Sequence, residues 1–206
     1  LDLGSCGLTY INLDYLQSNT NLTSLNLSNC PLGYKYFPQF KLLKENVSLR
    51  HLNVSNCGIY EMGSFTAKSF PRGLHTLDLS NNVKSTGSYT LTASVFDNLA
   101  SILPELKTLK ITHSRFQSLY VISRFVMTTK SLETLLIFEE SNFGTVHSIL
   151  PLFDCFRRNT SITTCDFNHM HFLNLDVTDE MKNSLQDILV KKQSNVHSRP
   201  FGSRTK

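Results

Sequence analysis

The sequence predicts an α/β solenoid, with parallel strands lining a concave face and helices covering the convex one. Three observations predict it. First, a phrase of the form LxxLxLxx(C/N) returns every 24 to 32 residues, with its fourth position at Leu1, Leu25, Leu52, Leu77, Leu109, Leu135 and Cys165. Second, inside the phrase apolar and polar residues alternate, as in Leu25 and Leu27 between Ser24, Asn26 and Ser28, which is the period of a strand with one buried face. Third, between phrases the spacing becomes helical, as in Leu119, Ile122 and Phe125.

Each element follows from these patterns. The clearest copies are Leu22-Thr-Ser-Leu-Asn-Leu-Ser-Asn-Cys30 and Leu49-Arg-His-Leu-Asn-Val-Ser-Asn-Cys57, and seven copies predict seven short strands. Stacked at the usual strand spacing, they would make a concave face about 30 Å long. The runs Val95, Leu99, Ile102, Leu103 and Val146, Ile149, Phe153, Phe156 predict two further convex helices. Fixed strands joined by return paths of varied length bury their apolar faces only by stacking on their neighbours. The phrase and its return interval are those of leucine-rich repeats.

The ninth position, where the chain leaves the strand, holds Cys6, Cys30, Cys57 and Asn82, then drifts to Ser114, Glu140 and Met170. A small donor suits a buried corner with backbone carbonyls to satisfy. Five cysteines, three of them at equivalent repeat positions, read as buried thiols of a reducing compartment and predict a cytoplasmic protein. Five Asn-x-Ser/Thr sequons, at Asn21, Asn26, Asn46, Asn53 and Asn159, stand against this. The repeat consensus itself writes the copies at Asn26 and Asn53, in mid-strand.

The 206 residues divide into repeats over 1–176, a capping helix over 177–193 and a basic tail or linker over 194–206. Thr178 is a suitable N-cap, Asp179 and Glu180 suit the positive end of the helix, and Lys191 and Lys192 suit its negative end. Met181, Leu185, Ile188 and Leu189 would form its buried face. The net charge of +4 is concentrated at the C-terminus, where Lys191, Lys192, Arg199, Arg204 and Lys206 lie. Because the chain opens inside a repeat phrase, upstream repeats of the same array are expected. No apolar run approaches the roughly 20 residues of a membrane span.

No phosphate-binding glycine loop, HExxH, CxxC or nucleophile elbow occurs, so the expectation is a non-enzymatic protein with no cofactor, no metal and no nucleic-acid partner. His169 and His171 would share one side of a strand, but a third ligand is lacking apart from Asp166 or Asp176. Function is expected where the phrase departs from consensus. The fifth and seventh positions are small and polar in the early phrases and become Leu136 and Phe138 in the phrase at Leu132. Two apolar residues on an open concave surface, with Lys110, His113, Glu139, Asp166 and His169 around them, would form a protein-binding site. Two alternatives remain: a covering segment, or a strand shifted by one residue.

The helix-containing repeats resemble the intracellular class of ribonuclease inhibitor, RanGAP and NOD-like receptors over residues 1 to about 175. The succession Leu-Asn-Leu-Ser-Asn-Cys30, Leu-Asn-Val-Ser-Asn-Cys57 and Leu77-Asp-Leu-Ser-Asn-Asn-Val-Lys-Ser85, followed by an enlarged repeat with Val95-Phe-Asp-Asn-Leu99, is similar to the repeat domain of CARMIL proteins, regulators of actin capping protein. That resemblance implies a scaffold and assigns no functional residue, since the capping-protein-binding segment of CARMIL lies C-terminal to its repeats. Two other functions remain open: an extracellular recognition domain, motivated by the sequons, and a RanGAP-type GTPase activator with Arg72 or Arg115 in the active loop.

Overall fold

The computed structural model describes residues 1–33, 43–59, 70–83, 93–116, 118–144, 146–172 and 174–197. Its elements, in chain order, are α1 (Asp14–Gln17), β1 (Ser24–Asn26), β2 (His51–Asn53), β3 (Thr76–Asp78), α2 (Ala93–Ile102), β4 (Thr108–Lys110), β5 (Arg115–Phe116), α3 (Leu119–Thr128), β6 (Thr134–Leu136), β7 (Asn142–Phe143), α4 (Leu150–Arg158), β8 (Thr164–Cys165) and α5 (Asp179–His197). Six of the strands form one parallel sheet in the order β1-β2-β3-β4-β6-β8, and β5 and β7 form a second parallel pair. The chain is an open leucine-rich-repeat-like solenoid.

Six of the seven phrases supply a strand of the main sheet, and the first joins it through a single bridge between Asp2 and Asn26. Position four of each phrase pairs with position four of the next, as Leu25, Leu52, Leu77, Leu109, Leu135 and Cys165 do in turn. These residues and the sixth-position Leu27, Val54, Leu79, Ile111 and Ile137 are buried and form the core with the inner faces of α2, α3 and α4. The three predicted convex helices are all present, and α3 packs between α2 and α4.

Along the later repeats aromatic rings replace leucines in the core. Phe96 meets Phe125 edge-on, with centroids 5.0 Å apart, and Phe116 stacks on Phe143 at 5.0 Å. Phe138 lies 5.7 Å from Phe143 and 5.9 Å from Phe167, which meets Phe156 edge-on at 4.9 Å. Such tilted and edge-on pairs add to the stabilisation from burial alone.

The ninth-position side chains donate as their chemistry suggests. Cys30 Sγ donates to Leu3 O at 3.2 Å, Cys57 Sγ to Leu27 O at 3.0 Å, and Asn82 Nδ2 to Val54 O at 2.8 Å. Each thus ties its own corner to the sixth position of the preceding phrase. Burial pushes the Cys57 thiol up to about 11, and the Cys155 and Cys165 thiols are also raised by burial.

Two of the sequon asparagines commit their amide nitrogen to the backbone. Asn46 is 2% exposed, with Nδ2 donating to Leu16 O and Asn19 O and Oδ1 accepting the N–H groups of Ser48 and Leu49. Asn159 repeats the pattern, with Nδ2 on Val126 O and Thr129 O and Oδ1 on the N–H groups of Ser161 and Ile162. In both, the amide nitrogen that a glycan would occupy is committed to carbonyls of the preceding repeat, and the amide oxygen closes the turn into the next strand.

The final helix starts where its cap was expected, with Thr178 Oγ1 accepting the Met181 N–H. It buries Leu185 and Leu189 completely, while Met181 remains 37% exposed. Helix α5 continues to His197, four residues beyond the expected end at 193, and Lys192 and Gln193 donate to Ile162 O and Thr163 O beside β8. The helix packs against α4 and the 3-10 turn over Phe167–His169. The basic segment beyond residue 197 lies outside the described residues, as do Lys84 and Ser85 and the side chain of Val95.

Candidate functional site

The concave surface is built from the third and fifth positions of the strands, because period-two geometry turns both away from the core. The third-position row runs Ser24, His51, Thr76, Thr108, Thr134 and Thr164 in register across the sheet. The fifth-position row begins at Asp2 and continues through Asn26, Asn53, Asp78, Lys110 and Leu136. Asp2, Ser24, Asn26, His51, Asn53, Thr76, Asp78 and Lys110 line one shallow groove along the early strands. Sequence reading missed the third-position row, although the recurring threonines signalled it.

The early fifth-position residues also end their own strands. Oδ1 of Asp2, Asn26, Asn53 and Asp78 accepts the N–H two residues ahead, at Gly4, Ser28, Ser55 and Ser80 respectively, at 2.9 to 3.0 Å. These local turns satisfy the backbone as it leaves the sheet. The seventh position follows the strand: Ser28 and Ser55 are half-buried, Ser80 and Thr112 are buried, and Ser80 Oγ accepts the Thr112 N–H.

The phrase at Leu132 is different. The pairing offset between the β4 and β6 repeats is set by Lys110↔Leu136, but a few residues later it is set by Arg115↔Asn142, so one extra residue has entered. The His113 N–H accordingly donates to Glu139 O. In the earlier phrases the left-handed corner falls on the eighth position, at Asn29, Asn56, Asn81 and His113, whereas here it falls on Glu140 (φ 46°) in place of Glu139. The extra residue is Phe138, at a one-residue bulge.

The bulge overturns the expectation for Phe138, which is 1% exposed and packed against Phe143 and Phe167 in the core. It also moves the ninth-position role from Glu140 to Ser141, whose Oγ accepts the Ser114 N–H. An inserted residue reverses the facing of the residues after it, and the aromatic ring finds its lowest free energy inside.

Asp166 closes the bulge. Its carboxylate accepts the N–H groups of Ile137, Phe138 and Glu139 at 2.8 to 3.0 Å. In the earlier phrases the corresponding sixth- and eighth-position N–H groups bond the next repeat's carbonyls, as Leu27 and Asn29 do, and the seventh bonds its own repeat's Asn or Asp. Three amide donors converging on one carboxylate form an anion-holding nest, filled here by the chain itself. Asp166 is therefore an acceptor for the backbone of the preceding repeat.

The remaining expected site residues separate. Lys110 and Leu136 are neighbours in the fifth-position row, both half-buried on the concave side. His113 sits at the corner beyond the strand, with Nδ1 3.1 Å from Glu140 Oε2. Glu139 is exposed beside the bulge, and His169 is exposed at the end of a 3-10 turn over Phe167–His169. That turn removes the extended geometry that would have set His169 and His171 on one side of a strand. Among the described residues, no three His, Cys, Asp or Glu side chains gather in a group able to hold a metal ion. No helix among them is long and apolar enough to cross a membrane.

A family model described as Leucine Rich Repeat matches residues 21–43, the part of the chain that contains the phrase at Leu22. No curated protein sequence matches the chain. Among solved structures, the chain is similar to leiomodin-1 actin-binding site 2, with a TM-score of 0.51, 9% identity, and coverage of 90% of this chain and 88% of that one. It is also similar to the tropomodulin C-terminal domain of Caenorhabditis elegans, with a TM-score of 0.49, 13% identity, and coverage of 88% and 90%. The likeness to the leiomodin-1 domain extends over nearly the whole chain and agrees with the repeat phrase and the parallel ladder: this is a leucine-rich-repeat fold.

Proposed function

We propose that the chain is a non-catalytic protein-interaction module that engages its partner on the concave face around Lys110 and Leu136. The observation that carries this reading is Leu136, an apolar side chain in a fifth-position row that is otherwise polar or charged. A single apolar anchor beside a lysine and bordered by threonines has the character of a small hot spot, where desolvated apolar contact supplies affinity and the polar rim selects the partner. Lys110, His113, Glu139 and His169 contribute to that rim in this reading, whereas Asp166 acts through the backbone and Phe138 through the core.

A cytoskeletal scaffold role follows the resemblance to CARMIL repeats. Actin is the first partner to test, because the leiomodin-1 domain of similar fold is described as an actin-binding site. A cytoplasmic location is supported by the buried thiols that serve as donors at Cys30 and Cys57, and by sequon asparagines Asn46 and Asn159 whose amides are committed to the backbone.

The test is binding to monomeric actin by fluorescence anisotropy and to filaments by co-sedimentation. A Leu136→Asp, Lys110→Glu variant with unaltered thermal unfolding is expected to lose at least about tenfold in affinity. Unchanged binding would remove the concave site, and no binding by the unmodified protein would remove the actin assignment.

A further inference from the structure

A second surface lies away from the concave face, in the groove of about 580 Å³ between α4 and α5. Half-buried Phe153 and Ile188 contribute apolar surface to it, and both pack against the core from outside. Arg157, Lys191 and Lys192 also line it, with Asp187 as the acidic residue of the lining. Arg157 is 66% exposed at its side chain and touches Asp154 at 3.2 Å, a solvent-exposed pair that costs little to exchange. Lys191 is exposed, and Lys192 is half-buried with its Nζ 3.4 Å from Ile162 O. The groove thus combines two apolar side chains with an excess of cations.

We propose that this groove binds a short acidic segment of a partner protein, with an apolar side chain seated between Phe153 and Ile188 and carboxylates facing Arg157 and Lys191. Charge selects this occupant over the nearest alternatives. The chain's own residues beyond His197 carry Arg199, Arg204 and Lys206 and have the same sign as the groove. A second copy presenting the same groove would likewise set cation against cation.

The probe is a fluorescein-labelled peptide of about twelve residues in which Leu and Phe alternate with Asp and Glu, titrated with the intact chain and read by anisotropy. Saturable binding is expected, weakening as salt rises from about 0.05 M to about 0.5 M. The Arg157→Glu, Lys191→Glu variant, altered only at exposed side chains and checked for its melting temperature, should bind at least about tenfold more weakly. Lys191→Glu alone provides the same reading if the double variant unfolds. Leu136→Asp should leave peptide binding unchanged, which separates this groove from the concave face.

Absence of peptide binding, or equal binding by the charge-reversed variant, would overturn the proposal. Equal affinity for polyglutamate would overturn the apolar anchor, and preference for phosphatidylserine vesicles over the peptide would assign the cations to a membrane surface instead.

Discussion

In the phrases at Leu22, Leu49 and Leu74, each strand ends on an Asn or Asp that accepts the N–H two residues ahead within its own repeat. In the phrase at Leu132 that residue is Leu136, which has no acceptor to offer, and the three following N–H groups turn to Asp166 in the next repeat. The early repeats satisfy the seventh-position N–H within the repeat and pass the sixth- and eighth-position N–H groups to carbonyls of the next one, as Leu27 and Asn29 do to Asn53 O and Ser55 O. The phrase at Leu132 instead sends all three to one side chain of its neighbour. The same substitution that places an apolar side chain on the concave face thus removes the local acceptor of the seventh-position N–H, which Asp166 of the next repeat supplies. A solenoid can lose its consensus in one repeat when the adjacent repeat provides the missing group.

The largest effect expected from breaking this contrast is at Phe138. Phe138→Ala should cost about 3–5 kcal/mol of stability in urea denaturation, because a fully buried ring is removed from the aromatic core. A loss below about 1 kcal/mol would mean that the bulge places the ring in solvent.

Asp166→Ala is expected to cost about 2–3 kcal/mol, since it strips the acceptor from three amide groups. The positional equivalent Asp78→Ala, which removes one turn-forming bond at a half-buried site, should cost about 0.5–1 kcal/mol. Equal losses at the two positions would abolish the distinction between local and borrowed satisfaction.

A smaller effect is expected from alkaline pH in the early region. The folded Cys57 thiol titrates near 11 and the unfolded one near 9, so its contribution is complete below pH 9 and is lost as pH rises toward 11. The urea midpoint of Cys57→Ala should therefore fall less between pH 8 and pH 10 than that of the unmodified chain, measured by the same denaturation curve. Cys6, the exposed member of the row, should react with an alkylating reagent before buried Cys30 and Cys57 do, as followed by peptide mass mapping.

The smallest effect on stability is expected at Leu136. Leu136→Asp should change the unfolding free energy by less than about 1 kcal/mol, because the side chain is only half-buried on the concave side. A large loss would identify it as core and remove it from the proposed binding surface.

The frame was legible in the sequence because its signals are local. Leu25, Leu52, Leu77, Leu109 and Leu135 mark the strands, and the convex helices at Leu99, Ile122 and Phe156 follow from helical spacing. The donor role of Cys30, Cys57 and Asn82 followed from their shared position. The site was less legible, since a phrase of nine residues can be aligned with or without a gap. Omitting Phe138 aligns Leu132 to Ser141 with the phrase from Leu106 to Ser114, but nothing in the spacing alone says which residue is the inserted one.

By itself, then, the sequence determined the repeating strand, its core positions and the helical return paths, because periodicity and propensity act over a few residues. Only the tertiary structure decided that Phe138 turns inward, that Asp166 serves the backbone of another repeat, that Asn46 and Asn159 close turns, and that Arg157 and Lys191 face one groove. Those outcomes join residues about 30 positions apart or more, and they depend on which unpaired groups and apolar surfaces meet once the repeats are stacked.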